Sequence, residues 1–232
     1  MIATVINALA VVVGSLVGLF LRKGIKEQYQ KIIFAASGIT SLVIGIQMAL
    51  TTEHLLAFAL ALILGGLAGT ALNIEGAIMN FGERLKNRFD HSAEGNSFAL
   101  GFLNASVLFC SGAMAIVGSF KAGTEGDYSI IFTKSILDGF MSMIFAGALG
   151  KGVIFSALTV LVYQGALTIL SVWIKPFVTE VMLSELTAIG GALVIMIGLG
   201  LLDIKKIKTA DFIPALLVTV LLVLALPFAP FL

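Results

Sequence analysis

The sequence predicts an all-α, polytopic transmembrane helical bundle of about eight spans, and three observations carry that reading. Of 232 residues, 59% are hydrophobic and only 12% charged, with a mean hydropathy of +1.10; a soluble domain is nearer a quarter charged. Apolar runs of spanning length recur along the chain. The basic residues between them fall on alternate loops. This composition argues against a soluble enzyme and a disordered chain, and a formal net charge of +1 argues against nucleic acid or another strongly charged partner surface.

A spanning helix takes about 20 mostly apolar residues, each rising about 1.5 Å through a hydrocarbon core about 30 Å thick. Eight stretches qualify: 2–21, 32–50, 55–74, 98–119, 129–149, 152–173, 187–202 and 212–230. The first lacks a basic n-region and a cleavage site, so it reads as a retained helix rather than a signal peptide. The fifth carries Lys134 and Asp138. The seventh is short unless it extends back through 177–186. Of the 14 Lys and Arg residues, Arg22, Lys23, Lys26, Lys31, Arg84, Lys86, Arg88, Lys151, Lys205, Lys206 and Lys208 share one side if all eight spans cross. Lys121 and Lys175 fall opposite. Basic loops stay cytoplasmic, so both termini are expected outside.

Two connecting segments read as helices of their own. In 75–90, Ile78, Phe81, Leu85 and Phe89 recur at helical spacing with Glu83, Arg84, Lys86 and Arg88 mostly elsewhere, the pattern of a helix lying on the cytoplasmic interface. In 176–186, Pro176 marks a helix start, followed by an apolar face of Phe177, Val178, Val181, Met182 and Leu186.

The chain also resembles itself. NALAVVV at 7–13 aligns with SALTVLV at 156–162, and SGITSLVIGI at 37–46 with GGALVIMIGL at 190–199, pairing Gly38 with Gly191 and Gly45 with Gly198. The offset is five spans, an odd number, so the two units have opposite orientation, as in inverted-repeat transporters with a site near the midplane. One transmembrane domain, 1–232, then divides into a first repeat unit (1–74), a cytoplasmic interfacial segment (75–97), a central helix pair (98–149) and a second, inverted unit (152–230). Chance similarity between two apolar helices is the competing explanation.

Chemistry concentrates in the fifth span. Lys134 and Asp138 are four apart and share a helical face, with Asp138 near mid-span. A charge there costs at least about 2.5 kcal/mol and marks either an ion or proton site with Lys134 as its counter-ion, or a buried pair that fixes packing. Gly139 beside it would let a backbone or ligand approach closely. In the fourth span Asn104 and Ser111 share a face, with Cys110 and Met114 on a neighbouring one. That polar face could line a pathway; one Cys and one Met make no metal signature, so metal binding stays undetermined.

Asn7 and Gln164, in the first and sixth spans, need partners in lipid, as does Gln47; such residues are interhelical glue or ligand contacts. Ser156, Thr159 and Tyr163 lie on one face. Glu185 reads either as a helix-entry acid or, if 177–202 is one helix, as a residue at an access mouth. Gly14 and Gly18, Gly65 and Gly69, and the Gly190–Gly191 pair mark close packing, within the chain or across a homodimer. The chain has no Walker A loop, GxSxG, HExxH or CxxC motif, and its single cysteine forms no internal disulfide. An enzyme and a bound cofactor are therefore not expected.

The runs LDGFMS, GALGKGVIFSALTVLVYQGALTIL, ELTAIGGALVIMIGLGLL and FIPALL, with GITSLVIGIQMAL, LGGLAGTALNIE and CSGAMAIVGSFKAG before them, resemble the bacterial YdfK/YqgA-type membrane proteins over essentially the whole chain. That family is a domain of unknown function, so the resemblance implies a bacterial inner-membrane location and no mechanism. The residues themselves point to a small secondary transporter or ion carrier centred on Asp138, with a small ion or solute as ligand and the lipid bilayer as surroundings. The alternative is a non-transporting scaffold or sensor subunit acting through a protein partner.

Overall fold

The computed structural model describes residues 1–22, 27–89, 95–110, 113–174 and 178–226. Among them the regular structure is helical: α1 (Ile2–Arg22), α2 (Glu27–Ala49), α3 (Leu55–Leu72), α4 (Ile74–Phe89), α5 (Gly95–Cys110), α6 (Ala113–Thr124), α7 (Ser129–Leu149), α8 (Gly152–Ile174), α9 (Glu180–Leu201), a 3₁₀ turn at Thr209–Phe212 and α10 (Pro214–Ala225). Local chemistry sets several boundaries. Asn73 ends α3 in the left-handed region at φ 49°, its N–H reaching back to the Gly69 and Thr70 carbonyls. Gly150, at φ 86°, closes α7 and turns the chain into α8. Pro214 occupies the first turn of α10, where a missing N–H costs nothing.

The helix expected from Pro176 begins later. Residues 175–177 lie outside the described residues, and Thr179 caps α9 by accepting a 3.1 Å hydrogen bond from the Met182 N–H. α9 then runs unbroken, so the seventh span gains its length from the 180–186 stretch. The expected interfacial helix is present as α4, with Ile78 against the core; the side chains of Phe81, Leu85 and Phe89 lie outside those described.

The fourth span corrects the sequence reading. In place of one helix over 98–119 there are two, α5 and α6, whose axes meet at 59°. Ser111 and Gly112, between them, lie outside the described residues. Among the described residues five helices, α1, α3, α7, α8 and α9, are long and apolar enough to cross a membrane, and the α5–α6 pair brings the number to six if it is one broken span. The apolar parts of α2 and α10 are shorter.

Glycines set how closely the helices approach. A side chain at Gly14 would fall on the Gly139 carbonyl of α7, and one at Gly18 on the Met143 carbonyl, so α1 and α7 run parallel. On α2, Gly38 faces Gly198 and Leu202 while Gly45 faces Gly191 and Ile195, an antiparallel crossing with α9. Gly65 and Gly69 of α3 meet Ala215 and Asp211, again antiparallel. Both GxxxG faces are therefore occupied within the chain, which removes them as an argument for a homodimer. Val11, Leu103, Phe109, Phe145, Val160 and Leu193 form the shared core, while large apolar side chains such as Phe20 (79% exposed) and Leu217 (71%) face outward. A water-soluble surface would not hold so much apolar area.

Candidate functional site

α1, α7 and α8 bring polar side chains together within an otherwise apolar interior. On α7, one turn of helix places Lys134 Nζ against Asp138 Oδ2, a buried ion pair. α1 supplies Asn7, fully buried, whose Nδ2 donates to Asp138 Oδ2 at 3.0 Å and to Gln164 Oε1 at 2.9 Å. Gln164 of α8 donates in turn to Thr4 Oγ1 at 3.5 Å. Because both neighbours of the Asn7 amide accept, its nitrogen must face them. Its Oδ1 is left buried without a hydrogen-bond partner. The Lys134 ammonium lies 5.9 Å from the centre of the Phe109 ring, close enough for a cation–π contact, and Phe109 is the penultimate residue of α5, beside the break.

The cluster thus joins Asn7, Lys134, Asp138 and Gln164, which were singled out in sequence. Thr4 was missed, although it lies one turn before Asn7 on the same face. Phe109 was missed because nothing in the local pattern ties it to a lysine 25 residues later.

The other expected pathway residues lie elsewhere. Glu185 is fully buried, but its carboxylate accepts from Thr52 Oγ1 at 2.7 Å, Glu53 N at 2.8 Å and His54 N at 3.0 Å, holding the α2–α3 turn. Its hydrogen bonds go to that turn and not to the Asp138 cluster. Asn104 lines a separate cavity of about 910 Å³ beside Lys31, Lys206 and Lys208. Ser111 lies outside the described residues. Ser156 turns its hydroxyl to the Val153 carbonyl of its own helix at 2.6 Å, and Thr159 accepts from Ser106 at 3.0 Å. Gly139 packs beside Ala10 of α1, and Gly190 and Gly191 are buried in α9. Among the described residues no three His, Cys, Asp or Glu side chains group as metal ligands would.

A further pair of acids was not anticipated. Glu75 Oε2 accepts from the Ala210 N–H at 3.1 Å, while Asp211 Oδ1 accepts from the Glu75 N–H at 2.9 Å. The start of α4 and the 3₁₀ turn before α10 therefore cap each other. Burial raises the Glu75 carboxyl above its ordinary value; the Ala210 bond acts against that shift, and nearby Asp211 adds to it.

Sequence comparison places the chain in a family. The family model described as "Protein of unknown function (DUF554)" matches residues 2–224. The chain belongs to DUF554. It is 33% identical over 224 residues to "Uncharacterized membrane protein YdfK" of Bacillus subtilis (strain 168), covering 94% of this chain and 93% of that protein. It is 34% identical over 215 residues to "Uncharacterized protein YqgA" of Escherichia coli (strain K12), covering 91% and 92%. No solved structure matches. Thr4, Asn7, Lys134, Asp138 and Gln164 all fall inside the DUF554 match, as do Glu75, Glu185 and Asp211. The membrane character of this DUF554 chain follows from its apolar helices and from the relative named as a membrane protein.

Proposed function

We propose that this protein is a small secondary transporter or ion carrier of the bacterial cytoplasmic membrane, working through a midplane site at Asp138. The observation that carries the reading is the buried cluster itself. An ion pair, two amides and an unpartnered carbonyl oxygen lie together inside the bundle, with Asp138 near the middle of α7, where ionisable groups are costly and mark ion paths.

Helix directions support eight crossings and an inverted repeat. α7 runs parallel to α1, whereas α9 opposes α2 and α10 opposes α3. Ser106 pairs with Thr159 and Ser119 with Gln164, so α5 and α6 both follow α8, as two halves of one broken crossing would. Exchanging residues by the internal alignment turns the Gly38–Gly198 contact into Gly191–Gly45, which is also present. A pseudo-two-fold axis in the membrane plane has that property, and the basic loops then put both termini outside.

In the chemistry we propose, Asp138 Oδ2 gives up Lys134 and takes a monovalent cation, with Asn7 Oδ1 as a further oxygen ligand. Low dielectric penalises two cations beside one carboxylate, so the incoming cation displaces the Lys134 ammonium from Asp138 rather than joining it. Rocking of one repeat against the other would present the loaded site to either side. Thermal unfolding of purified wild type and Asp138→Asn, with monovalent cations at several pH values, tests this. A saturable rise for wild type, absent in the variant, and saturable cation flux in proteoliposomes are expected. An equal response in Asp138→Asn, or no response and no flux in wild type, overturns the site and favours a scaffold acting through a protein partner.

A further inference from the structure

A second cavity, of about 490 Å³, lies between α4, α5, α8, α9 and α10. Its size is that of a small-molecule site, which spans about 300–1,000 Å³. Ile78, Phe102, Leu193 and Leu216 give it apolar walls, and among the described residues no charged side chain lines it. Its polar groups come from two helices in matched spacing. Ser106 and Cys110 are four apart on α5, and Thr159 and Tyr163 are four apart on α8, so each pair shares one helical face.

The hydrogen bonds along this wall do not close. Ser106 Oγ donates to Thr159 Oγ1 at 3.0 Å. A hydroxyl pair spends one proton on such a bond, and the other is left to donate. Among the described residues nothing accepts it from Thr159. Other threonines of the bundle behave differently: Thr168 and Thr187 each give their proton to the carbonyl four residues back. Tyr163 is half-buried, and among the described residues its phenol has no hydrogen-bond partner. Two donors on one face of α8 therefore border an apolar space. A hydrocarbon tail would fit the walls and leave both donors unpaired, which is costly away from water. Water would satisfy the donors and leave the apolar walls wet.

We infer that this cavity binds a small uncharged molecule, apolar over most of its surface, whose acceptor oxygen receives hydrogen bonds from Thr159 and Tyr163. The cavity and the Asp138 cluster share two helices, since Cys110 follows Phe109 on α5 and Gln164 follows Tyr163 on α8. Binding in the cavity stands independently of the cation reading of Asp138.

The test uses the whole protein in phosphatidylcholine nanodiscs, which keeps detergent out of the cavity. Camphor and its parent hydrocarbon bornane serve as probes, because they share one carbon skeleton and differ by the carbonyl oxygen. At equal concentration in the bilayer, camphor is expected to raise the unfolding midpoint saturably and bornane to bind about tenfold more weakly. Tyr163→Phe keeps the ring and removes the phenol proton. It should weaken camphor about fivefold and leave bornane unchanged. The ligand-free variant should lose no stability, because the hydroxyl has no partner to give up. Asp138→Asn responds to camphor as the wild type does.

Equal affinity for bornane would make the cavity a seat for hydrocarbon, such as a lipid tail, and overturns the proposal. So does the absence of a saturable camphor response. In Tyr163→Phe, an unchanged camphor affinity or an equal loss for both probes overturns it as well. A loss of ligand-free stability in that variant would place the phenol in a bond within the chain, with the same consequence. Loss of the camphor response in Asp138→Asn would move the ligand to the central cluster and likewise overturn the proposal.

Discussion

Asn7 Nδ2 serves two acceptors on two other helices, so its removal strips a donor from Asp138 and from Gln164 together. Leaving buried polar groups unpaired costs about 1–3 kcal/mol each. Asn7→Ala is therefore expected to lower unfolding stability by about 2–4 kcal/mol, measured by denaturation in detergent. Glu185 makes a sharper case, because its carboxylate carries two backbone N–H groups and a hydroxyl. Glu185→Ala should destabilise by about 2–4 kcal/mol, hydrogen bonds to a charged group being the stronger kind, while leaving the cation response of the surviving folded protein intact. A lost response with unchanged stability would put Glu185 back in the pathway. Glu75 gives a pH dependence. Its carboxyl is raised from 4.5 by burial, so the folded state holds this proton more tightly than the unfolded chain. The contribution is complete below the unfolded value and is lost as pH rises through the folded one. Glu75→Gln should flatten that part of the stability–pH curve, because the amide oxygen can still accept from Ala210.

At the scale of elements, the bundle depends on where its glycines lie as much as on how many there are. Gly191 is pressed against α2, where a side chain would meet the Gly45 carbonyl and Met48; Gly200, on the same helix, has open space around it. The two positions should respond with opposite sign. Gly191→Ala forces α2 and α9 apart and is expected to cost about 1–3 kcal/mol, whereas Gly200→Ala gains helix propensity of at most about 1 kcal/mol. Unfolding midpoints of the two variants check this, and a similar effect at both sites would mean that the α2–α9 crossing is not close-packed. The α5–α6 break belongs to this scale too. Hydropathy over 98–119 shows one continuous apolar run, and a sum over apolar residues is blind to a change of axis.

For the whole molecule, the proposed orientation is testable from outside an intact cell. In a Cys110→Ser background, an impermeant thiol reagent should modify Thr124→Cys, at the end of α6, and leave Lys206→Cys, in the α9–α10 loop, untouched. The reverse pattern would invert the topology. The closed helix-to-helix pairing also explains the many exposed apolar side chains on α1, α2, α3 and α8: with the glycine faces used internally, the outward faces meet lipid, whose apolar tails need no polar surface opposite them.

Membrane residence, the positions of the main helices and the Lys134–Asp138 pair were legible in the sequence, because each depends on quantities local to the chain. Composition sets the solvent, an apolar run sets a helix, and a separation of four sets one helical face. The partners of that pair were not legible. That Asn7 reaches both Asp138 and Gln164 while Glu185 and Asn104 lie elsewhere depends on which helices lie side by side, and those are more than a hundred residues from Asn7 in the chain. An amide or a carboxylate in lipid must find a partner, but its own segment does not say which. The glycine contacts decide it: they fix how near α1 comes to α7 and α2 to α9, and only that packing divides the buried polar residues into one shared cluster and several separate locks.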